Sequence, residues 1–317
     1  MTKNATFLKD VNDGLSQNPK YISSHYFYNK AGDELFQQIM EMPEYYLTNS
    51  ELEIFSNQSD DFIKSFEIDE NEEFELIELG AGDGKKTEHL LKSLLDKNFN
   101  FKFIPVDISL NSLEVITNRM EAQFPDLEIS AQQGDYFQVL DDLFLSDKTK
   151  IIIFIGSNLG NMEDEVASEF LQKISQHLKT NEKLLLGLDL IKSQDIVLPA
   201  YNDAAGITRD FNLNLLKRIN YELGADFNLE NFQHAPEYTE VEGIAKSFLK
   251  STKKQTVYIK ELDRYFDFAD DELIHTEISR KYDDQVLQDL IEGTNFEITH
   301  KFLDSKKYFA DYILTKK

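Results

Sequence analysis

Three glycines alternate in Gly80-Ala81-Gly82-Asp83-Gly84, with the acid Glu78 just ahead of them and Lys85-Lys86 just behind. They stand between an apolar run over residues 75–79 and a helical pattern that starts at Thr87. Glycine there removes the β-carbons that would keep the backbone away from a ligand, and the following helix aims its first amides at whatever fills the turn. A second apolar run, 101–106, ends at Asp107. An acid at that place, roughly twenty residues past the glycines, accepts hydrogen bonds from a ribose. A third run, 127–131, leads to Gly134-Asp135-Tyr136-Phe137, where a carboxylate beside aromatic rings can hydrogen-bond and sandwich an adenine. These strand-end features agree on one ligand, a nucleoside derivative.

The spacing of the glycines separates two kinds of nucleoside site. A dinucleotide fingerprint reads G-x-G-x-x-G, whereas here the last interval is one residue shorter. With Glu78 the pattern is E-x-G-x-G-x-G, which resembles motif I of the class I S-adenosylmethionine-dependent methyltransferases and disfavours a nicotinamide oxidoreductase. A turn that only joins strand to helix is the bland alternative.

The elements that must position these residues alternate. From about residue 74 to 190 strand and helix succeed one another, and 150–155 and 183–190 are continuous apolar runs of the kind buried on both faces of a sheet. An amphipathic helix is predicted between them over 164–178. The expected fold class is α/β, a doubly wound, mostly parallel, Rossmann-like sheet whose ligand crevice lies at the carboxyl ends of the strands. Residues 2–60 read as helices interrupted at Pro43, with Thr48 or Asn49 and Glu51 as a helix cap. Residues 200–223 read as one helix carrying Tyr201 near its start. Beyond it lie short strands at 245–249, 254–259, 265–268 and 273–279, a helix near 283–292, and strands at 296–301 and 308–314. The predicted organisation is therefore a cofactor domain over 61–196 and a second, α+β lobe made of 1–60 and 197–317.

Composition narrows the partners. Fifty-eight acidic against 33 basic residues give a formal charge of −25, so counterion release from a phosphate backbone cannot drive binding and nucleic acid is not expected as a substrate. There is no cysteine, hence neither disulfides nor thiolate chemistry. No apolar run is long enough to span a bilayer, and the N-terminus has no apolar leader, so a soluble, cytoplasmic protein without a membrane partner is expected.

Four further segments carry a closer likeness: Pro43-Glu44-Tyr45-Tyr46, Gly156-Ser157-Asn158-Leu159-Gly160-Asn161, Tyr201-Asn202-Asp203-Ala204-Ala205-Gly206 and Thr276-Glu277-Ile278-Ser279. In their order and spacing the chain resembles the histidine-specific Nα-methyltransferases of ergothioneine biosynthesis. The resemblance implies an enzyme that binds S-adenosylmethionine in the Rossmann-like domain and an amino acid in the second lobe, and that adds up to three methyl groups to the α-amine of L-histidine; a monomer without a metal is expected. It places Gly80 and Lys86 at the methionine end of the cofactor, Asp107 at the ribose, Asp135 with Tyr136 or Phe137 at the adenine, and Gly156 near the transferring methyl. It implies that Tyr45, Asn161 and Tyr201 hold the α-amine and α-carboxylate, that Tyr28 lines the same pocket, and that Glu277 and Ser279 meet the imidazole. By residue type alone Glu277 would be an exposed strand carboxylate and Asn161 a turn residue. Ser247 departs from the larger apolar residue expected of the family, often Met, and keeps another amino acid or a small amine open as the substrate. A cofactor-binding scaffold without catalysis is the alternative of another class.

Overall fold

The computed structural model describes residues 3–69, 72–143 and 145–317. Thr2, the expected start of the helical region, lies outside them. In chain order the elements are α1 (Lys3–Ser16), β1 (Lys20–Tyr21), α2 (Lys30–Glu41), α3 (Tyr46–Phe66), β2 (Phe74–Leu79), α4 (Thr87–Asp96), β3 (Phe101–Asp107) and α5 (Leu110–Gln123). There follow β4 (Glu128–Ile129), β5 (Gln132–Gln133), α6 (Tyr136–Leu143), β6 (Thr149–Phe154), α7 (Asp164–Gln176), β7 (Lys183–Asp189), α8 (Gln194–Tyr201) and α9 (Ile207–Leu223). The last third holds β8 (Phe232–Thr239), β9 (Ile244–Ser251), β10 (Gln255–Ile259), β11 (Arg264–Phe268), β12 (Leu273–Arg280), α10 (Asp284–Leu290), β13 (Phe296–Leu303) and β14 (Phe309–Lys316). No helix among the described residues is long and apolar enough to cross a membrane.

Two units emerge, one of Leu47–Ile191 with Arg280–Lys317, the other of Met1–Tyr46 with Lys192–Ser279. The first is built on a sheet of order β13-β14-β7-β6-β2-β3-β4, with β5 also on β3. Strands β2, β3, β6 and β7 run parallel, in registers such as Phe74 with Phe101 and Phe74 with Thr149. The chain steps from β2 to β3 on one side and returns to β6 on the other, so the strand order reverses at the β2/β6 pair. In a doubly wound sheet that reversal opens a crevice beyond the strand ends. Successive residues of β2 and β6 feed opposite faces: Ile77, Ile152 and Phe154 enter one core, Leu76, Ile151 and Ile153 the other. This is the expected α/β class.

The boundaries differ from the expected ones. Strands β13 and β14, assigned from the sequence to the second lobe, instead extend this sheet, with β14 antiparallel to β7 from Phe309/Asp189 to Thr315/Lys183. The physical reason is that β14 is apolar on both faces: Phe309 and Ile313 pack into one core, Ala310, Tyr312 and Leu314 into the other. Only a sheet covered on both sides can bury such a strand. Residues 47–60 likewise belong here, because Ile54 and Phe55 of α3 fill the second core.

The other unit has a four-stranded sheet of order β1-β12-β9-β8 and a β10/β11 hairpin. A core of Phe7, Phe27, Phe211, Leu215, Leu249, Phe268 and Ile274, among others, joins these strands to α1, α2 and α9. The strand β8 was not foreseen, and the helix expected over 200–223 is broken. After Tyr201 the chain leaves the helix, and Asp203 restarts it by accepting hydrogen bonds from Ile207 N and Thr208 N at 2.9 and 2.8 Å. Gly206 sits at φ +79° just before α9, a left-handed conformation that suits glycine.

Candidate active site

At the carboxyl end of β2 the three glycines all take positive φ, yet each for its own reason. A Cβ on Gly84 would lie 2.7 Å from Ile116 and Met120 of α5, so this glycine serves close packing of helix on turn. A Cβ on Gly80 would lie 2.8 Å from the Tyr136 hydroxyl. At Gly82 nothing stands nearer than the Gly80 carbonyl at 4.0 Å, and this is the open side of the turn.

Around that open side the structure gathers the six residues singled out for a nucleoside ligand. Asp107 ends β3, where its carboxylate accepts from Ser109 N at 2.8 Å. The pairing of Asp107 with Gln133 on β5 brings Asp135 alongside, and Asp135 caps α6 by accepting from Phe137 N at 3.0 Å. Burial, together with the nearby charges of Asp107 and Asp135, pushes the Tyr136 phenol up to about 12. Tyr136 is therefore the aromatic that faces this group. Phe137 packs away from it, 5.3 Å from the Phe170 ring and under Lys173. From the neighbouring strand end, Gly156 comes within 3.5 Å of both Lys86 Nζ and Asn158 Nδ2, measured from its ideal Cβ. Gly80, Lys86, Asp107, Asp135, Tyr136 and Gly156 thus converge within one unit at the switch point of its sheet.

The loop that carries Gly156 is held in an uncommon shape. Gly156 has φ +79° and Ser157, a non-glycine, φ +56°. Strained backbone of this kind persists only when its surroundings fix it. Here the Ser157 hydroxyl accepts from Asp189 N at 3.0 Å, and Asn158 Nδ2 donates to the Ile155 carbonyl at 2.8 Å. Gly156 N–H donates to both oxygens of Glu51, at 2.8 and 3.0 Å, and Lys86 forms an ion pair with the same carboxylate. Burial alone would lower the Lys86 pKa, but Glu51, Asp311 and Glu78 outweigh it and the ammonium is held above its ordinary range. Asn158, Glu51 and Asp311 were given no part in a ligand site by sequence reasoning. Asn158 lay inside a recognised motif and could have been found there. Glu51 was expected to cap a helix, a reading the structure corrects: α3 begins at Tyr46, so Thr48 and Asn49 lie within its first turn and Glu51 faces the core.

The candidate substrate residues fall in both units. Asn161 closes a 3-10 turn, Asn158–Asn161, in the nucleoside-site unit and is exposed. Tyr28, Tyr45, Tyr201, Glu277 and Ser279 belong to the other unit. There Tyr28 and Tyr45 stand edge-on to Phe36, and Tyr28 also meets Phe211. Glu277 and Ser279 share one face of β12, as their spacing requires. Ser247 of β9 is buried, and its hydroxyl donates to Glu277 Oε2 at 3.4 Å. Tyr201 is 7% exposed at the end of α8, where its carbonyl accepts from His234 Nε2 at 2.7 Å. Asn212 Nδ2 donates to the other ring nitrogen of His234 at 2.9 Å, which fixes the neutral tautomer, and burial lowers that ring's pKa. His234 escaped notice in the sequence because its strand did.

The chemistry of the six converging residues suits a nucleoside bearing an amino-acid tail: acids for hydroxyls and an exocyclic amine, a phenol ring, a glycine turn without β-carbons and a lysine. Comparison with known proteins bears on the same point. The histidine N-alpha-methyltransferase of Mycolicibacterium smegmatis is 34% identical over 297 residues, 93% of this chain and 90% of that protein. That of Mycobacterium tuberculosis is 33% identical over 279 residues, 88% of this chain and 85% of that protein. Ergothioneine biosynthesis protein 1 of Schizosaccharomyces pombe is 27% identical over 302 residues, which is 93% of this chain but 39% of that longer protein. The family model described as histidine-specific methyltransferase, SAM-dependent, matches residues 7–316, and the chain therefore belongs to the S-adenosylmethionine-dependent, histidine-specific methyltransferases.

Proposed function

We propose that this enzyme transfers methyl groups from S-adenosylmethionine to the α-amine of L-histidine, up to three times, giving the Nα-trimethyl betaine. The observation that carries the reading is the convergence of Gly80, Lys86, Asp107, Asp135, Tyr136 and Gly156 at the sheet's switch point, in a chain matched by the family over nearly its whole length. In this assignment the Lys86 ammonium and the amides of the glycine turn take the amino-acid end of the ligand. Asp107 accepts from the ribose, while Asp135 and the ring of Tyr136 take the adenine.

When bound, the sulfonium supplies an electrophilic methyl. With it bound, the neutral amine would take the methyl as the C–S bond breaks and its electron pair stays on sulfur, and the ammonium so formed would pass its proton to water before the next transfer. Such a displacement needs no covalent intermediate, so the protein contributes orientation and desolvation. Tyr45, Asn161 and Tyr201 are assigned to the α-amine and α-carboxylate, with Tyr28 lining the pocket. A carboxylate at Glu277 accepts an imidazole N–H, and the Ser279 hydroxyl serves the other ring nitrogen. His234 supports Tyr201 through its backbone. The buried Ser247 hydroxyl on Glu277 leaves that carboxylate oriented by a small polar neighbour, which favours a polar ring.

The test is mass spectrometry of each standard amino acid incubated with enzyme and S-adenosylmethionine. A ladder of one, two and three added methyls on histidine alone is expected. Methylation of another amino acid with histidine untouched overturns the substrate. Absence of transfer with S-adenosylhomocysteine still bound overturns the activity.

A further inference from the structure

Asp311 is the one wholly buried carboxyl of β14, and neither of its oxygens has a hydrogen-bond partner. Its strand neighbour on β7 is Gly187, and Glu51 reaches over that same glycine from α3. A Cβ on Gly187 would run into Glu51 Oε1 and lie 2.9 Å from Asp311 Oδ1, so the two carboxyls share a space that only glycine leaves free. On its far side Glu51 binds the Lys86 ammonium and the Gly156 amide. The charged groups facing Asp311 are thus Glu51 from α3 and Lys86 from the start of α4, with Glu78 of β2 and Asp83 beyond the lysine. Its neighbour on β13, Phe302, brings none.

Ionised together, Glu51, Glu78 and Asp311 would set three negative charges around one ammonium, an excess that a site away from water does not tolerate. Protonation removes it. Burial holds Asp311 well above the usual carboxyl range, with Glu51 adding to the shift and Lys86 opposing it. A neutral Asp311 would have one O–H to donate toward the Glu51 carboxylate that shares the space above Gly187.

We propose that protonated Asp311 and Glu51 are positioning residues that hold Lys86 and the Gly156 amide for the amino-acid end of S-adenosylmethionine, and that losing the Asp311 proton loosens cofactor binding. The proposal rests on the cofactor reading given above. Deprotonation adds a buried negative charge beside the ammonium, which draws Lys86 inward and repels the ligand's carboxylate. Neither residue touches the reacting atoms, and each acts through Lys86 and the loop.

Calorimetric titration of the full chain with S-adenosylhomocysteine, at pH about 7 and about 9, tests this, since a single linked proton changes affinity by at most about tenfold per pH unit. Wild type is expected to lose about fivefold or more in affinity relative to Asp311→Asn across that interval. The asparagine keeps the shape and an N–H donor but cannot ionise. The ligand's own amine titrates equally for both proteins, so the difference between the profiles is the readout. Glu51→Gln should weaken binding about tenfold at both pH values, and the KM for histidine should change by less than about twofold. Should Asp311→Asn fail to fold in thermal melts, Asp311→Ser, smaller and uncharged, must show the same difference from the wild-type profile. Parallel profiles for wild type and the uncharged variant overturn the inference, as does Glu51→Gln binding like wild type. A wild-type protein that binds S-adenosylhomocysteine at neither pH overturns the cofactor reading instead.

Discussion

Glu78 stands in the sequence as the acid ahead of three glycines, but its position in space gives it a different character from a ligand-facing carboxylate. It is 1% exposed, Thr87 Oγ1 donates to its Oε1 at 2.6 Å, and its Oε2 is buried without a partner. The residue joins the end of β2 to the first residue of α4 and so shapes the turn from behind. Burial raises its pKa from 4.5 to about 8, against the pull of Thr87 and Lys86. The sign of the consequence follows: between those two values the folded chain keeps a proton that the unfolded chain has lost, so stability falls as pH rises through that window and levels off above it. Glu78→Gln retains an acceptor for Thr87 and removes the titration. Its melting temperature should exceed wild type by several degrees near pH 8, with the gap shrinking toward pH 5, in scanning calorimetry at both values. A gap that does not depend on pH would mean that Glu78 is ionised in the folded protein.

At the scale of the element, the glycine turn was legible because its spacing is local, but the division of labour within it was not. Gly84 is closed in by Ile116 and Met120 of α5, which come more than thirty positions later, while Gly82 is open. The two alanine variants should therefore fail in opposite ways. Gly84→Ala forces a Cβ against Ile116 and Met120 at φ +68° and should destabilise the fold by about 1–3 kcal/mol. Gly82→Ala meets only backbone strain of order 1 kcal/mol but places a methyl on the ligand side, so it should weaken S-adenosylhomocysteine binding far more than it lowers the melting temperature. Urea unfolding alongside ligand titration of both variants separates the effects, and equal effects on both readouts would refute the assignment. The break after Tyr201 belongs to this scale too. Asp203 and Gly206 restart the helix in the structure, whereas the amphipathic pattern on either side reads in the sequence as one continuous helix.

For the molecule as a whole, the sheet of the nucleoside-site unit is closed by the last strand of the chain. A fragment of residues 61–196 omits most of α3 and leaves β7 without β14, exposing the apolar side chains that Phe309, Tyr312, Ile313 and Leu314 cover. It should not fold. Residues 47–191 joined to 280–317 by a short flexible linker restore both and should fold and bind S-adenosylhomocysteine. Amide dispersion in NMR spectra decides, and a folded 61–196 fragment would show that β13 and β14 are dispensable.

Whatever depends on neighbours along the chain can be read before folding: the strand-turn-helix at Gly80–Gly84, the acid at the end of each following strand, the alternation that makes an α/β sheet, and the motifs of the family. Backbone geometry over a few residues is enough to place these. Tertiary structure alone decided which strands share a sheet and which charged groups are buried together. Glu51 meets a glycine amide 105 positions further on and a lysine 35 positions away, and Asp311 approaches it from the last strand. Nothing near either residue in the chain distinguishes it from the other acids, because the free energy of a buried carboxyl is set by the solvent it loses and the partners it gains, and both are supplied by segments remote in sequence.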